Sequence, residues 1–363
     1  MNPSQMPVRR ALPQSLDEVD PEWLSSALSE YAPGTAVRSA EVATVIHGTA
    51  TNARLLVKYD KPDPTAGLPG ALWLKAGFET HSAVTGAWGV YETEAFFYRH
   101  VAPRLPLTAP TCYYAGLDQS THQGVVLLED LGVRPVTFGK ATEPAGPETA
   151  AAVVDALARL HAATWEDDSV AGLPYVRRGI SPAGAGSEWF LQQTPEVVSD
   201  WIEQRKEVAV PPEVNDPERI VAAFWRLAGR TTEGPLCLLH SDPHIDNLYF
   251  ENGTPGFLDF QSLRYSSFAW DLSYFLSKSL EVQVRRNHEE ALVRRYLDRL
   301  SHHGVRAPSF ADAWLAYRQY VVYALFTSIV NPDFFKPREI NIAWMSRSAA
   351  AAADLRSFEA LGV

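Results

Sequence analysis

The chain has 363 residues, 46% of them apolar, and its 32 Lys and Arg against 43 Asp and Glu give a formal charge of −11. That length exceeds one small core and suits two packed lobes. The acidic balance, with no basic patch, argues against a nucleic-acid binder, and no run reaches the roughly 18 apolar residues of a membrane span.

The opening stretch carries two arginines but no apolar core behind them, so it does not read as a signal peptide. Cys112 and Cys237 each lie in or beside an apolar predicted strand. They read as small buried hydrophobes rather than a disulfide framework, in keeping with a cytoplasmic location.

Asp20-Pro21-Glu22 reads as a cap, a first-turn proline and an acidic start for a short helix. Strands are expected over 40–46, 53–59 and 71–76, with a turn-like stretch over 47–52 and a loop marked by Pro62, Pro64, Gly67, Pro69 and Gly70. Lys75 stands near the end of the third strand, otherwise apolar. One helix is expected over roughly 88–101, carrying Glu94, and two more strands over 111–117 and 124–128. Three strands, one helix and two strands describe a small sheet with one helix packed on it.

After Gly132 the pattern changes. An amphipathic helix is expected over 148–165, with Val153, Leu157 and Leu160 on one face. Residues 172–217, rich in Pro, Gly and aromatics, read as short helices and loops, and 220–230 as a helix. A hairpin turning at Asn252-Gly253 joins 248–250 to 256–258. Everything after Phe268 reads as helix, including 289–300, one capped at Ser309, and 340–361.

The stretch from Leu239 to Leu276 carries His240-Ser241-Asp242, Asn247 five residues after Asp242, and Asp259-Phe260-Gln261 twelve residues after Asn247. These spacings suit transfer of a phosphoryl group from a metal nucleotide to a hydroxyl, a reaction that asks for positioning and charge neutralisation. Asp242 is expected to orient the acceptor hydroxyl and take its proton. Asn247 and Asp259 would offer hard oxygen to Mg²⁺. Lys75, with Glu94 as partner, would hold the α- and β-phosphates, and the 47–52 stretch, including Gly48 and Asn52, would cover them. Asp271, an acid opening an apolar helix, is expected to brace backbone donors of the Asp242 loop. His240 and His244 are read as structural, and His161 as a satisfied buried histidine.

Together with Tyr91-Glu92-Thr93-Glu94, Leu128-Glu129-Asp130-Leu131, Leu160-His161-Ala162, Arg264-Tyr265 and Asp271-Leu272, these residues make the chain resemble a known family. It is that of the aminoglycoside phosphotransferases and choline kinases, a branch of the protein-kinase-like fold, and most of all its ecdysteroid-kinase-like branch. The resemblance implies an α+β, bilobal fold. A nucleotide-binding lobe over 1–130 holds a five-stranded antiparallel sheet and one helix. A helical lobe over 131–363 holds the 240–247 loop and the acceptor site. It implies ATP and Mg²⁺ as cofactors, Asp242 as base, Asn247 and Asp259 as metal ligands, and Lys75 and Glu94 at the phosphates. It makes Leu128 to Asp130 a hinge against the adenine edge. The chain departs from the pattern in having Ser241 where the family usually has Gly, Gln261 where protein kinases have Gly, and a phosphate loop with Gly48 alone.

The expected function is therefore an ATP-dependent small-molecule kinase. Four of the ten tryptophans fall between Trp189 and Trp270, which favours a partly apolar hydroxylated acceptor (sterol-like, polyketide-like or hydroxyacyl) over a polycationic aminoglycoside, with an aminoglycoside or macrolide O-phosphotransferase as the alternative. Two other classes compete. One is a metal-dependent hydrolase using His240, Asp242, His244 and Asp246 in alternation on a strand. The other is an inactive kinase-like binding protein.

Overall fold

Asp20 and Pro21 open the first helix of the computed structural model, which describes residues 10–60, 67–184 and 187–363. Pro62 and Pro64 of the expected loop, the first nine residues of the opening stretch, and residues 185–186 lie outside that range. The Asp20 carboxylate accepts from the Trp23 N–H at 2.6 Å, and α1 (Pro21–Leu28) buries Trp23, Leu24, Ala27 and Leu28. The cap supplies an acceptor to one of the donors that a helix start leaves unpaired.

The chain divides into two compact units. The first takes the described residues of Met1–Arg104 with Pro110–Pro135, the second Leu105–Ala109 with Val136–Val363. Asp130 closes the first unit's last turn, its carboxylate accepting from the Gly132 N–H at 3.0 Å. Leu105–Ala109 joins the second unit because Phe257 donates to the Thr108 carbonyl at 2.8 Å.

In the first unit, β1 (Val37–Ile46), β2 (Thr51–Tyr59), β3 (Ala71–Ala76), β4 (Cys112–Asp118) and β5 (Gln123–Glu129) form one antiparallel sheet in the order β1-β2-β3-β5-β4. Ala53, Leu55 and Val57 of β2 alternate inward and pack with Leu72, Leu74, Val125, Leu127 and the α1 face. Thr51 and Asn52 are strand, pairing with Ala76 and Lys75, so the expected phosphate-covering loop shortens to 47–50.

The helix expected over roughly 88–101 is present and runs without a break from Val90 to Val101, changing from α to π geometry at Phe97. A short α2 (Ser82–Ala87) comes first, Gly89 in the left-handed region (φ 70°) starts α3 (Val90–Phe96), and a π-turn over Phe97–Val101 ends it. A Cβ at Gly124 would stand 2.0 Å from the Tyr91 carbonyl oxygen, so α3 lies on β5 at a distance only glycine permits.

The second unit is mostly helical: α4 (Pro147–Ala162), α5 (Asp168–Ala171), α6 (Ser187–Leu191), α7 (Pro195–Gln204), α8 (Pro217–Ala228), α9 (Ala269–Ser279), α10 (Val282–His302), α11 (Phe310–Val330), α12 (Arg338–Asp354) and α13 (Ser357–Leu361). The last two were expected as one helix. Arg356 in the left-handed region (φ 49°) divides them. None of the described helices is long and apolar enough to cross a membrane.

Two three-stranded sheets interrupt the helices. One orders β10 (Thr254–Phe257), β9 (Leu248–Glu251) and β6 (Val136–Phe138); the other β7 (Arg177–Arg178), β11 (Arg264–Ser267) and β8 (Leu236–Leu239). The β9–β10 turn has Asn252 and Gly253 both at positive φ, 50° and 79°, the conformation that matches hairpin twist. Strands of two to four residues such as β6, β7 and β11 are too short to show alternation, and the sequence pattern missed them.

Candidate active site

In the second unit β8 runs straight into the loop that carries Asp242. Two acceptors fix that loop from below. Asp271, fully buried at the start of α9, takes the N–H groups of His240 and Ser241 at 2.8 Å each. It also takes Nε2–H of His161 at 3.2 Å, and His161 in turn contacts the Tyr296 hydroxyl at 2.7 Å. Three donors compensate the desolvation of the carboxylate. Asp271 thus braces the loop and His161 is a satisfied core histidine, both as the sequence indicated. The Trp270 indole N–H adds a bond to the Ser241 carbonyl at 3.2 Å.

His240 joins the loop to the hairpin. Its Nδ1 accepts the Asp242 N–H at 3.3 Å, so its proton sits on Nε2, which donates to the Leu258 carbonyl at 2.8 Å. The Leu258 N–H donates to the Asn247 carbonyl at 2.8 Å. The Leu258 peptide is thus gripped on both sides, and the next residue, Asp259, is delivered beside Asn247. Asn247 Nδ2 donates to the Asp242 carbonyl at 2.9 Å and to Oδ2 of Asp242 at 3.2 Å. The Asp242 and Asn247 side chains therefore meet, and the chain carries Asp259 one residue beyond the backbone bonded to Asn247. Asp259 and Ser241 both sit in the left-handed region, φ 64° and 72°. Ser241 is the residue standing where the family usually has Gly, and its hydroxyl is buried without a partner among the described residues.

Around Asp242 stand two side chains that the sequence reading missed, Tyr274 and Lys278. Tyr274 is hydrogen-bonded to the Asp242 carboxylate. The buried Lys278 ammonium donates to the Tyr274 hydroxyl at 2.8 Å and to Thr327 Oγ1 at 3.2 Å, and lies 4.6 Å from the Trp344 ring centroid. Burial lowers the Lys278 pKa to about 7 against the pull of Asp242. The signal was present: Asp271, Tyr274 and Lys278 fall at i, i+3 and i+7 and so share one helix face. Tyr274 and Lys278 were read only as part of a generic helix.

Burial pushes the Asp242 carboxyl up, but His244, Lys278 and the Tyr274 hydroxyl together hold it below the ordinary carboxylate range. His244, its ring tilted 43° against Trp344 at 4.6 Å and its Nε2 3.5 Å from Asp242, has its own pKa lowered by burial.

The His-x-Asp-x-His-x-Asp hydrolase site does not form. Pro243 and a 3₁₀ turn over Ile245–Asn247 replace the strand that alternation required, and both ring nitrogens of His240 are spent on backbone. Among the described residues no three His, Cys, Asp or Glu are grouped to hold a metal.

In the first unit Lys75 on β3 lies 2.7 Å from Glu94 on α3, both buried. The Glu79 carboxylate accepts from Thr51 at 2.6 Å and contacts His47 at 3.0 Å, while the Tyr91 hydroxyl donates to the Thr49 carbonyl at 2.7 Å. Side-chain bonds therefore hold the 47–50 loop, and Gly48 has no positive φ to make glycine necessary. Leu128 lies in β5, between β3 and β4. The Asp130 carboxylate is buried against Arg54 at 2.8 Å and Trp73 at 3.1 Å, which braces the end of the sheet.

Of the four tryptophans used to infer an apolar acceptor, Trp270 is core, and Trp201 lies 5.2 Å from the Arg205 guanidinium and donates to Gln193. Both cysteines are free, and burial raises the Cys112 thiol to about 12.

The sequence profile of the ecdysteroid kinase-like family matches residues 49–306, a span that includes Lys75, Glu94 and the whole Asp242 to Asp271 stretch. No curated protein matches the chain. Among solved structures, a Ralstonia eutropha protein provisionally described as an aminoglycoside phosphotransferase is similar at 14% identity, over 92% of this chain and 96% of its own, with a TM-score of 0.49. A Plasmodium vivax ethanolamine kinase is similar at 13% identity over 88% of this chain and 83% of its own, TM-score 0.49. A Streptococcus pneumoniae choline kinase is similar at 14% identity over 88% and 94%, TM-score 0.44.

Proposed function

The chain belongs to the ecdysteroid kinase-like family, and on that premise we propose that it moves the γ-phosphoryl group of ATP to a hydroxyl of a small molecule. One observation carries the reading: a single hydrogen-bonded loop brings Asp242, Asn247 and the residue preceding Asp259 together. An acceptor oxygen attacks the γ-phosphorus, the bond to the β-phosphate oxygen breaks, and ADP leaves.

Asp242 orients the attacking hydroxyl and takes its proton. Asn247, whose NH₂ is committed to Asp242, keeps its amide oxygen for a metal, and Asp259 adds a carboxylate. Hard oxygen donors of this kind suit Mg²⁺, which when bound with nucleotide neutralises phosphate charge. Lys75, oriented by Glu94, meets the α- and β-phosphates, the 47–50 loop covers them, and backbone groups of Leu128 to Asp130 meet the adenine.

The test is an ATP-consumption screen over hydroxylated compounds, with aminoglycosides, macrolides, sterols, choline and hydroxyacyl compounds included. Asp242→Ala, run beside the wild type on any hit, should lose turnover by roughly 10²–10⁴ while keeping its nucleotide-induced thermal shift. Equal turnover in the variant removes Asp242 from the base role. Absence of any ADP-induced stabilisation in the wild type removes the kinase reading itself.

A further inference from the structure

Among the described residues, two arginines of the second unit, Arg177 and Arg264, have no carboxylate partner. β7 and β11 run parallel, with Arg177 directly opposite Arg264, and residues in direct register put their side chains on one face of the ladder. Arg264 donates from Nη1 to the Gly179 carbonyl at 2.7 Å and lies 5.1 Å from the Trp270 ring centroid, with its Nε buried and unpartnered among the described residues. Burial and the neighbouring Arg264 lower the Arg177 pKa to about 10, and no carboxylate of the described residues acts on either guanidinium. Among the described residues the Arg177 side chain makes no hydrogen bond or ion pair.

Two adjacent cations, partly withdrawn from water, repel each other and lose hydration. A fold that holds them so gains most from an anion between them. The guanidinium fork fits two oxygens of a carboxylate or phosphate at once.

The pair also stands near the reacting end of the unit. On its other edge β11 pairs with β8, Arg264 opposite Leu239, three residues before Asp242. The Tyr323 phenol interacts electrostatically with Arg264, Asp242 and Arg177 alike. The Tyr323 ring lies 4.1 Å from the Trp270 ring, over which Arg264 sits, and 5.8 Å from the ring of Tyr274, which is bonded to Asp242.

We propose that Arg177 and Arg264 form an oxyanion site that holds a carboxylate or phosphate of the acceptor while its hydroxyl faces Asp242. The acceptor is then an acidic hydroxylated small molecule rather than a polycationic one. This deepens the kinase reading and rests on it for the word acceptor, but the anion site is tested without turnover.

Arg264 has structural bonds, so Arg177 is the residue to change. Thermal unfolding is followed for wild type, Arg177→Gln and Arg177→Lys, with ADP and Mg²⁺ saturating, in chloride, acetate or inorganic phosphate at equal ionic strength. In wild type, phosphate or acetate at tens of millimolar should raise Tm by about 2 °C or more over chloride. Arg177→Gln should lose most of that gain, and Arg177→Lys should keep part of it. Protection by both anions supports a general oxyanion site, and protection by phosphate alone assigns the group as a phosphate. An equal gain in Arg177→Gln, or none in wild type, overturns the proposal. The ADP-induced shift, read in chloride from parallel runs with and without ADP and Mg²⁺, reports on the kinase reading separately.

Discussion

The Lys278 ammonium lies 2.8 Å from the Tyr274 hydroxyl, and that hydroxyl is bonded to the Asp242 carboxylate. A buried lysine thus leans on the proposed base through one phenol. Burial lowers its pKa from 10.5 to about 7. In the unfolded chain the group stays protonated until about pH 10. Between those limits the unfolded state binds more protons, so the stability due to Lys278 rises with pH through that window. Lys278→Met lacks this term. Wild type should therefore gain on the variant by about 2–4 kcal/mol between pH 6.5 and pH 9.5, each tenfold change in proton affinity being worth about 1.4 kcal/mol. Urea unfolding of both proteins at the two pH values checks it, and a pH-independent difference means that the lysine keeps an ordinary pKa.

Ser241 sits at φ 72° with its hydroxyl buried and unpartnered among the described residues. A β-carbon in the left-handed region and an unsatisfied hydroxyl each cost about 1 kcal/mol or more, against roughly 0.5–1 kcal/mol of extra backbone entropy that glycine gives up. Ser241→Gly should therefore stabilise the protein by about 1 kcal/mol, seen as a Tm higher by about 2–4 °C. A lower Tm would mean that the neighbouring bonds from Asp271 and Trp270 already absorb the strain.

Much of this was legible in the chain. The alternation of Ala53, Leu55 and Val57 wrote β2, and Asn252-Gly253 wrote its hairpin, because each signal is local. Asp271 was legible as a brace because a carboxylate in an apolar helix start needs donors. What escaped depends on contacts distant in sequence. β7 is only Arg177 and Arg178, made a strand by β11 some eighty residues later. Lys278 looked like an ordinary helix lysine until its partners, Thr327 on α11 and Trp344 on α12, closed around it. Thr51 and Asn52 were assigned to a turn since their pairing with β3 lies outside any local window.

Asp271 offers a direct test of positioning. Its two oxygens hold three donors, two of them loop N–H groups. Asp271→Asn replaces one acceptor by an NH₂ that faces a donor. The variant should lose about 2–4 kcal/mol of stability. Its kcat should fall at least about 10-fold, because the loop that aims Asp242 is loosened, while KM for ATP changes little. Circular dichroism and the kcat against KM split separate the outcomes: loss of activity only in proportion to unfolded protein leaves Asp271 with a structural role alone.

The Lys75–Glu94 pair, 2.7 Å apart and buried in the first unit, is tested by a double-mutant cycle on ADP binding. Lys75→Met removes the charge that would meet the phosphates, and Mg-ADP affinity should drop at least about 10-fold. Glu94→Gln leaves the charge but removes the carboxylate that orients it, so affinity should fall less, by roughly 3- to 10-fold. If Glu94 acts only through Lys75, the double variant binds no worse than Lys75→Met alone, a coupling of about 1 kcal/mol. Calorimetric titration of the four proteins gives the answer: additive losses would mean that Glu94 serves the nucleotide by another route, and no loss in Lys75→Met would take Lys75 away from the phosphates.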